Sequence, residues 1–235
     1  MNRTVLLATA ALLAVATANA NAKPFHPASV HRGFAHAHPF VAPNKHDVTL
    51  YDQNGNDAGA SVVSDNFQSS FDAYDSQGAD DFTVPSLHQW IIKQVNVTGA
   101  YFNGAGPADG VTVYFYRDNG GLPGDLIEEV DGSEFTDTNG SFSIKLDDAV
   151  SLKAGTYWIS VQADINTANG EWGWEVNAVQ NGNPSAWQNP GDGFGTGCTT
   201  WNTTQTCTGE GPDFMYSLAG MDHLKKKDVG GGGDD

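Results

Sequence analysis

Positive charge is scarce in this chain. It holds 11 Lys and Arg residues against 28 Asp and Glu, which gives a formal net charge of −17. Between residues 47 and 221 the only cations are Lys93, Arg117, Lys145 and Lys153. Such a surface repels phosphate backbones and anionic lipid headgroups, so we expect neither nucleic-acid nor membrane binding. Calcium and a neutral, hydroxyl-rich polymer are compatible partners.

Long hydrophobic runs are also lacking. The most apolar stretch, residues 5–16, is shorter than the ~18 to 20 residues of a membrane helix. It follows Arg3 and precedes two small-residue cleavage motifs, Ala18-Asn19-Ala20 and Ala20-Asn21-Ala22. This pattern is typical of a secretory signal peptide. We therefore expect residues 1–22 to be removed on export and the mature protein to be secreted, extracellular or periplasmic, without membrane insertion.

Cysteine is limited to Cys198 and Cys207. Their spacing is not that of a redox C-x-x-C motif, and a two-cysteine metal site would need further ligands nearby. Because exported proteins meet an oxidising environment, the pair is predicted to form a disulfide.

Catalytic motifs are missing as well. The chain has no H-E-x-x-H, G-x-S-x-G or Walker sequence, and His88 is the only histidine between residues 47 and 221. Glu171 and Glu175 would share one face of a strand but lie roughly 13 Å apart, too far to act as a glycosidase pair. No catalytic residue is predicted, and a hydrolase with carboxylates gathered from loops remains an alternative.

Three zones differ in composition. Residues 23–46 are rich in His and Pro and contain no acidic residue, and residues 222–235 combine Lys, Gly and Asp. Both are predicted to be disordered arms. Residues 47–221 have the length of one domain.

Within this domain, short runs alternate apolar and polar side chains. Residues 141–146, 156–163 and 111–117 are clear examples, and turn residues such as Asn139-Gly140 separate the runs. No amphipathic helix pattern is visible. The expected fold is all-β: an antiparallel β-sandwich, jelly-roll-like, in one domain with flexible ends.

Aromatic residues are the main candidates for ligand contacts. Trp158, Trp172 and Trp174 fall on predicted strands, where flat rings flanked by polar residues can hold sugar rings. Packing in the core is the competing interpretation for each. Trp187 and Trp201 fall in a Gly- and Asn-rich connection, where they are interpreted chiefly as anchors of the loop.

Oxygen ligands for calcium are abundant in two places. Asp52 and Asn54 begin a D-x-N-x-N pattern, and Asp80 and Asp81 are adjacent. The first stretch fails as an EF-hand because Asp57 stands where that loop needs Gly. Turn formation by the Asp and Asn side chains explains the same residues without a metal, and both interpretations stay open.

Several segments together resemble a loosely defined group of exported bacterial β-sandwich modules. They are residues 78–85, 90–98, 154–158, 172–174 and 186–190, and the resemblance spans about residues 48 to 220. It implies a secreted module without catalytic residues. The tail lacks the hydrophobic stretch of a surface-sorting segment.

The sequence thus favours a secreted, non-catalytic binding or adhesion module. We expect it to contact polysaccharide or a cell-surface polymer, with support by calcium left open as above. A structural matrix or coat protein is the first alternative.

Overall fold

A computed structural model describes residues 28–33, 46–131 and 134–225. The predicted signal peptide (1–22), most of the predicted arm and residues 226–235 of the tail lie outside these ranges. The described strands are β1 (Val30–Arg32), β2 (Val48–Asp52), β3 (Asp57–Val63), β4 (Asp65–Asn66), β5 (Gln77–Val97), β6 (Gly99–Phe102), β7 (Gly110–Asp118), β8 (Pro123–Asp131), β9 (Glu134–Thr138), β10 (Ser141–Asp164), β11 (Glu171–Asn177), β12 (Ala186–Gln188), β13 (Asn202–Thr203), β14 (Asp213–Phe214) and β15 (Tyr216–Leu224).

Helical structure in the described ranges is limited to short pieces. Two 3₁₀ helices span Ser69–Tyr74 and Thr167–Asn169, and α1 spans Thr204–Thr208. No helix in these ranges has the length and apolarity needed to cross a bilayer.

The strands form two sheets. The small sheet contains β1, β3, β6, β11 and β14, and the other ten strands form the large sheet. All described pairings are antiparallel except that of β4 with β10. The predicted all-β, antiparallel sandwich is therefore confirmed.

Two long strands form the centre of the large sheet. β5 and β10 pair from Phe142 opposite Val97 to Ser160 opposite Ala79, with register shifts between Lys145 and Val150 and between Lys153 and Gly155. The sequence predicted separate strands over residues 141–146 and 156–163, with Ala154 and Gly155 between them. These residues instead lie in a β-bulge, which bends a strand without ending its pairing.

The core lies between the two sheets and is rich in aromatic residues. Trp172 stacks on Phe142 with ring centroids 4.9 Å apart, and Trp174 stacks on Phe214 at 4.8 Å. All four side chains are fully buried. The inner face of β11 therefore packs against β10 through Trp172 and against β14 through Trp174.

Both predicted arms contribute strands, which corrects their assignment as disordered. β1 pairs with the edge strand β3, with Val30 opposite Val62, and Arg32 forms an ion pair with Glu210. β15 continues to Leu224 and pairs with β5 up to His88. The composition of the arms concealed these strands because pairing with a sheet edge needs few apolar side chains.

Candidate functional site

The three tryptophans predicted to contact ligand are all completely buried, so that prediction is wrong for each. Trp172 and Trp174 point into the core from β11, and their indole Nε1 groups donate to the carbonyls of Gly140 and Met215. Trp158 lies on the outer face of the large sheet, yet its exposed fraction is also 0%. An indole without exposed surface cannot stack on a sugar ring.

Around Trp158, the outer face of the large sheet carries a second aromatic cluster. Trp158 lies opposite Tyr116, and Tyr114 lies opposite Ser160 on the same pair of strands. The rings of Tyr114 and Tyr116 are 6.2 Å apart and nearly parallel, and Trp201 meets Tyr116 edge-on at 5.7 Å. We call Tyr114, Tyr116, Trp158 and Trp201 the aromatic face. Tyr114 and Trp201 are its partly exposed members.

The rings of Tyr114 and Tyr116 point outward because side chains alternate between the two faces of a strand. Val111, Val113 and Phe115 of β7 are buried in the main core, so the intervening Tyr114 and Tyr116 project from the opposite face. Leu126 lies opposite Tyr116 on β8, and its side chain is 50% exposed. The aromatic face therefore continues into apolar surface on the next strand.

Polar side chains surround the aromatic face. The Tyr114 hydroxyl donates to Gln162 Oε1 over 3.1 Å, and Gln188 Nε2 donates to Gln77 Oε1 over 2.8 Å. The buried hydroxyl of Ser160, opposite Tyr114, has no hydrogen-bond partner. A ring stacked here would meet amide and hydroxyl groups suited to sugar hydroxyls.

Both tyrosines stay protonated at neutral pH. Burial, followed by the negative charge of Glu129, raises the pKa of Tyr114, and burial raises the pKa of Tyr116 to about 12. Their hydroxyls therefore act as neutral donors and acceptors.

Near Tyr114, at the N-terminal end of β7, the surface forms a shallow cleft of about 270 Å³. Its lining residues are Asp109, Gly110, Val111, Thr112, Asp131, Phe135 and Asp164. A second cleft of about 180 Å³ shares Asp109 and Asp164. The cleft adjoins the aromatic face through Thr112, which precedes Tyr114 on the outer side of β7.

The four residues predicted to bind calcium are not brought together, which corrects that prediction. Asp80 accepts hydrogen bonds from Gln53 Nε2 and the Phe214 amide in the interior, whereas Asp81 accepts from Asn183 on the outer side. Adjacent strand residues point to opposite faces, so one ion cannot bridge these two carboxylates in this arrangement.

The other two predicted calcium ligands, Asp52 and Asn54, form a local turn in which the Asn54 amide donates a hydrogen bond to Asp52 Oδ1. This is the metal-free interpretation that the sequence left open. Within the described ranges no cluster of three or more His, Cys, Asp or Glu residues is arranged to hold a metal.

Several carboxyl groups are buried and form no ion pair with a cation among the residues that the structure describes. Burial raises the pKa of Glu175 to about 8, with a further contribution from Asp57, and raises the pKa of Glu171 to about 7. Burial and the neighbouring Asp213 also raise the pKa of Asp80 well above its usual value. Glu171 and Glu175 therefore bind protons near neutral pH, so they couple stability to pH.

Glu171 and Glu175 share one face of β11, opposite Trp172 and Trp174, as the sequence predicted, but both are buried. Glu171 accepts hydrogen bonds from the Ala28 amide and from Asn103 Nδ2, and Glu175 has no partner. Both residues are at most 1% exposed. In this arrangement neither carboxyl can reach a polymer substrate.

The disulfide between Cys198 and Cys207 is confirmed, with its Cα atoms 5.8 Å apart. It closes a loop that holds Trp201, and Trp187 precedes this loop on β12. Trp187 is completely buried and donates to the Val63 carbonyl, as expected for a loop anchor. Trp201 also packs against the domain, but it keeps an exposed surface beside Tyr116.

Tyr114, Tyr116 and Trp201 form the candidate site that sequence reasoning missed. The alternation in residues 111–117 already placed both tyrosines opposite the apolar residues of β7. No sequence signal placed Trp201 beside them. It lies 85 positions after Tyr116, and α1, β12 and the disulfide bring it to this face.

Comparison with known proteins identifies a fold similarity alone. No protein-family model matches the chain, and no curated protein matches it significantly. Among solved structures, it is similar to the crystal structure of the cysteine protease and lectin-like domains of Cwp84, a surface layer associated protein of Clostridium difficile. The TM-score is 0.50 and the identity is 11%, over 79% of this chain and 37% of that chain.

Proposed function

We propose that this protein is an exported, non-catalytic module that binds carbohydrate on the outer face of its large sheet. The observation that carries the proposal is the aromatic face, where Tyr114 and Trp201 keep exposed surface around the buried Tyr116. Tyrosine and tryptophan combine a flat apolar ring with a polar group, which suits one side of a sugar ring.

The polar surroundings support the same function. Gln77 and Gln188, which are paired and partly exposed, offer amide groups on the same face of the sheet. The scarcity of Lys and Arg disfavours anionic polymers as ligands. The fold is shared with part of a surface-layer-associated chain that includes a lectin-like domain, which adds support at the level of architecture.

Export to an oxidising compartment belongs to the same proposal. The Cys198–Cys207 disulfide and the signal-peptide pattern of residues 1–22 both support it. Because the predicted calcium ligands diverge, we expect carbohydrate binding to survive chelation by EDTA.

A glycan array, probed with the mature protein with and without EDTA, tests the proposal. We expect retention on at least one class of neutral polysaccharide without release of new reducing ends. Tyr114→Ala and Trp201→Ala should weaken retention, whereas Tyr157→Ala, on the opposite face of β10, should not. Failure of every glycan to retain the protein would overturn the proposal and favour a structural coat role.

A further inference from the structure

Among the described residues, the outward strand positions next to the aromatic face carry acidic side chains and no cation. Across β8, β7 and β10, Asp131 lies opposite Thr112, Glu129 opposite Tyr114, and Leu126 opposite Tyr116. The next partners on β10 are Gln162, Ser160 and Trp158. Lys, Arg and His occupy none of these outward positions.

Arg117, the cation of β7, does not change this charge distribution. It lies opposite Tyr157, so it belongs to the other side of the strand. The charge next to Tyr114 is therefore that of Glu129, and Asp164 acts on the same hydroxyl.

The adjoining cleft is acidic too. Asp109, Asp131 and Asp164 line its volume of about 270 Å³ together with the partly exposed ring of Phe135. A chain of sugar units running along β7 from the aromatic face would place its next unit in this cleft. The surface thus offers ring-stacking positions and carboxylates side by side.

We propose that the preferred ligand is a polymer of amino sugars with free, protonated amines, a specificity that rests on the carbohydrate-binding function proposed above. Each sugar ring would stack on Tyr114 or Trp201. Its ammonium group would be attracted by Glu129 and by the carboxylates of the cleft, and by the electron-rich faces of the aromatic rings. Polymers of uronic acids would be repelled by the same carboxylates.

The hydroxyl of Ser160, opposite Tyr114, is a buried polar group of the same face. It lies opposite Tyr114 on β10 and is fully buried with no hydrogen-bond partner. Buried polar groups in folded proteins are nearly always hydrogen-bonded. Because this hydroxyl has no exposed surface, a ligand or a ligand-held water could supply that partner only after a neighbouring side chain moved.

Calorimetric titration of the mature protein with three oligosaccharides of equal length tests this specificity. The probes are a glucosamine oligomer, the corresponding N-acetylglucosamine oligomer and a galacturonic acid oligomer, at a pH that keeps the amines charged. We expect the amine-bearing oligomer to bind about 10-fold more tightly than its acetylated form, since several exposed carboxylates contribute. Raising the salt concentration should reduce this preference.

Glu129→Gln and Glu128→Gln form a matched pair of variants. They remove the same charge from neighbouring, exposed residues, but Glu128 lies opposite Phe115, on the other side of β8. Glu129→Gln should reduce the preference for the amine about 2- to 5-fold, and Glu128→Gln should leave it unchanged. Affinity for the acetylated oligomer should stay the same in both variants.

The outcomes separate the two proposals. Equal affinity for the amine-bearing and acetylated oligomers, or equal effects of the two Gln variants, would overturn the amine preference and leave the carbohydrate function in place. Competition by an oligolysine of equal charge as effective as that of the glucosamine oligomer would also overturn it. If none of the three oligosaccharides binds, the amine preference fails, and the glycan array decides whether the proposed function fails as well.

Discussion

Glu175 and Ser61 lie directly opposite each other on β11 and β3, both are buried, and neither side chain has a hydrogen-bond partner. A buried carboxyl in this position is more stable protonated than charged, because its charge would be neither hydrated nor paired. The small sheet therefore contains a group whose protonation favours the folded state.

Stability is accordingly expected to fall as the pH rises. The pKa of Glu175 is about 8 in the folded protein against a usual 4.5. Its stabilisation is complete below about pH 4.5 and is lost as the pH rises through about 8. Between its pKa in the unfolded chain and its pKa in the folded protein, each such group lowers the free energy of unfolding by up to about 1.4 kcal/mol for every unit of rising pH. Urea denaturation across this range measures the slope.

Glu175→Gln provides the specific test of this origin. Gln is uncharged and similar in shape, so the variant should be more stable than the parent near pH 8 and should show a shallower pH dependence. Glu128→Gln, which removes an exposed carboxyl, is the control. Identical slopes for parent and Glu175→Gln would show that Glu175 does not titrate as inferred.

Tryptophans of the core and of the aromatic face should respond differently to truncation. Trp172→Ala removes a fully buried ring stacked on Phe142 and should cost about 3 to 5 kcal/mol of stability. Trp201→Ala removes a partly exposed ring and should cost less, while reducing glycan retention. Denaturation curves and glycan binding, measured on both variants, make the distinction. Large losses of stability in both would argue that Trp201 is only a loop anchor.

Removal of the disulfide should have a moderate effect. Cys198 and Cys207 are nine positions apart, so in the chain-entropy model the crosslink stabilises by about 2 to 3 kcal/mol. The double variant Cys198→Ala/Cys207→Ala should fold with a lower melting temperature and a loop more sensitive to protease. Unchanged melting and proteolysis would mean that Trp187 alone secures the loop.

Gly182 should be intolerant of a side chain. Its φ is +83°, and a Cβ there would lie 2.5 Å from Asp81 Oδ1, in the turn where Asn183 donates two hydrogen bonds to Asp81. Gly182→Ala should therefore cost about 1 to 3 kcal/mol, from backbone strain and displacement of the turn.

Gly195→Ala measures how much of the stability loss expected for Gly182→Ala comes from backbone strain. Gly195 has a φ of +67°, yet nothing lies within 4 Å of the position that a Cβ would take there. Its substitution should cost about 1 kcal/mol. Thermal melts of both variants give the comparison, and equal losses would exclude a contribution from the contact with Asp81.

The sequence by itself determined the features that depend on residues close together along the chain, namely strands, the disulfide and local turns. Alternation of apolar and polar residues at 111–117 and 141–146 indicated strands and hence a sandwich, since strand side chains alternate between faces. The spacing and predicted compartment of Cys198 and Cys207 were enough to pair them. The preference of Asp52 for a local turn was likewise visible.

Tertiary structure alone decided which aromatic side chains are covered. Trp158 and Tyr114 both lie on the outer face of the large sheet, but only Trp158 is completely buried: it packs in a cluster with Tyr116 and Ala186, and its indole donates to Asp118 Oδ1. Trp201 reaches that face through a disulfide-closed loop. Burial depends on which distant segments pack over a strand face, and alternation along one strand carries no information about those segments.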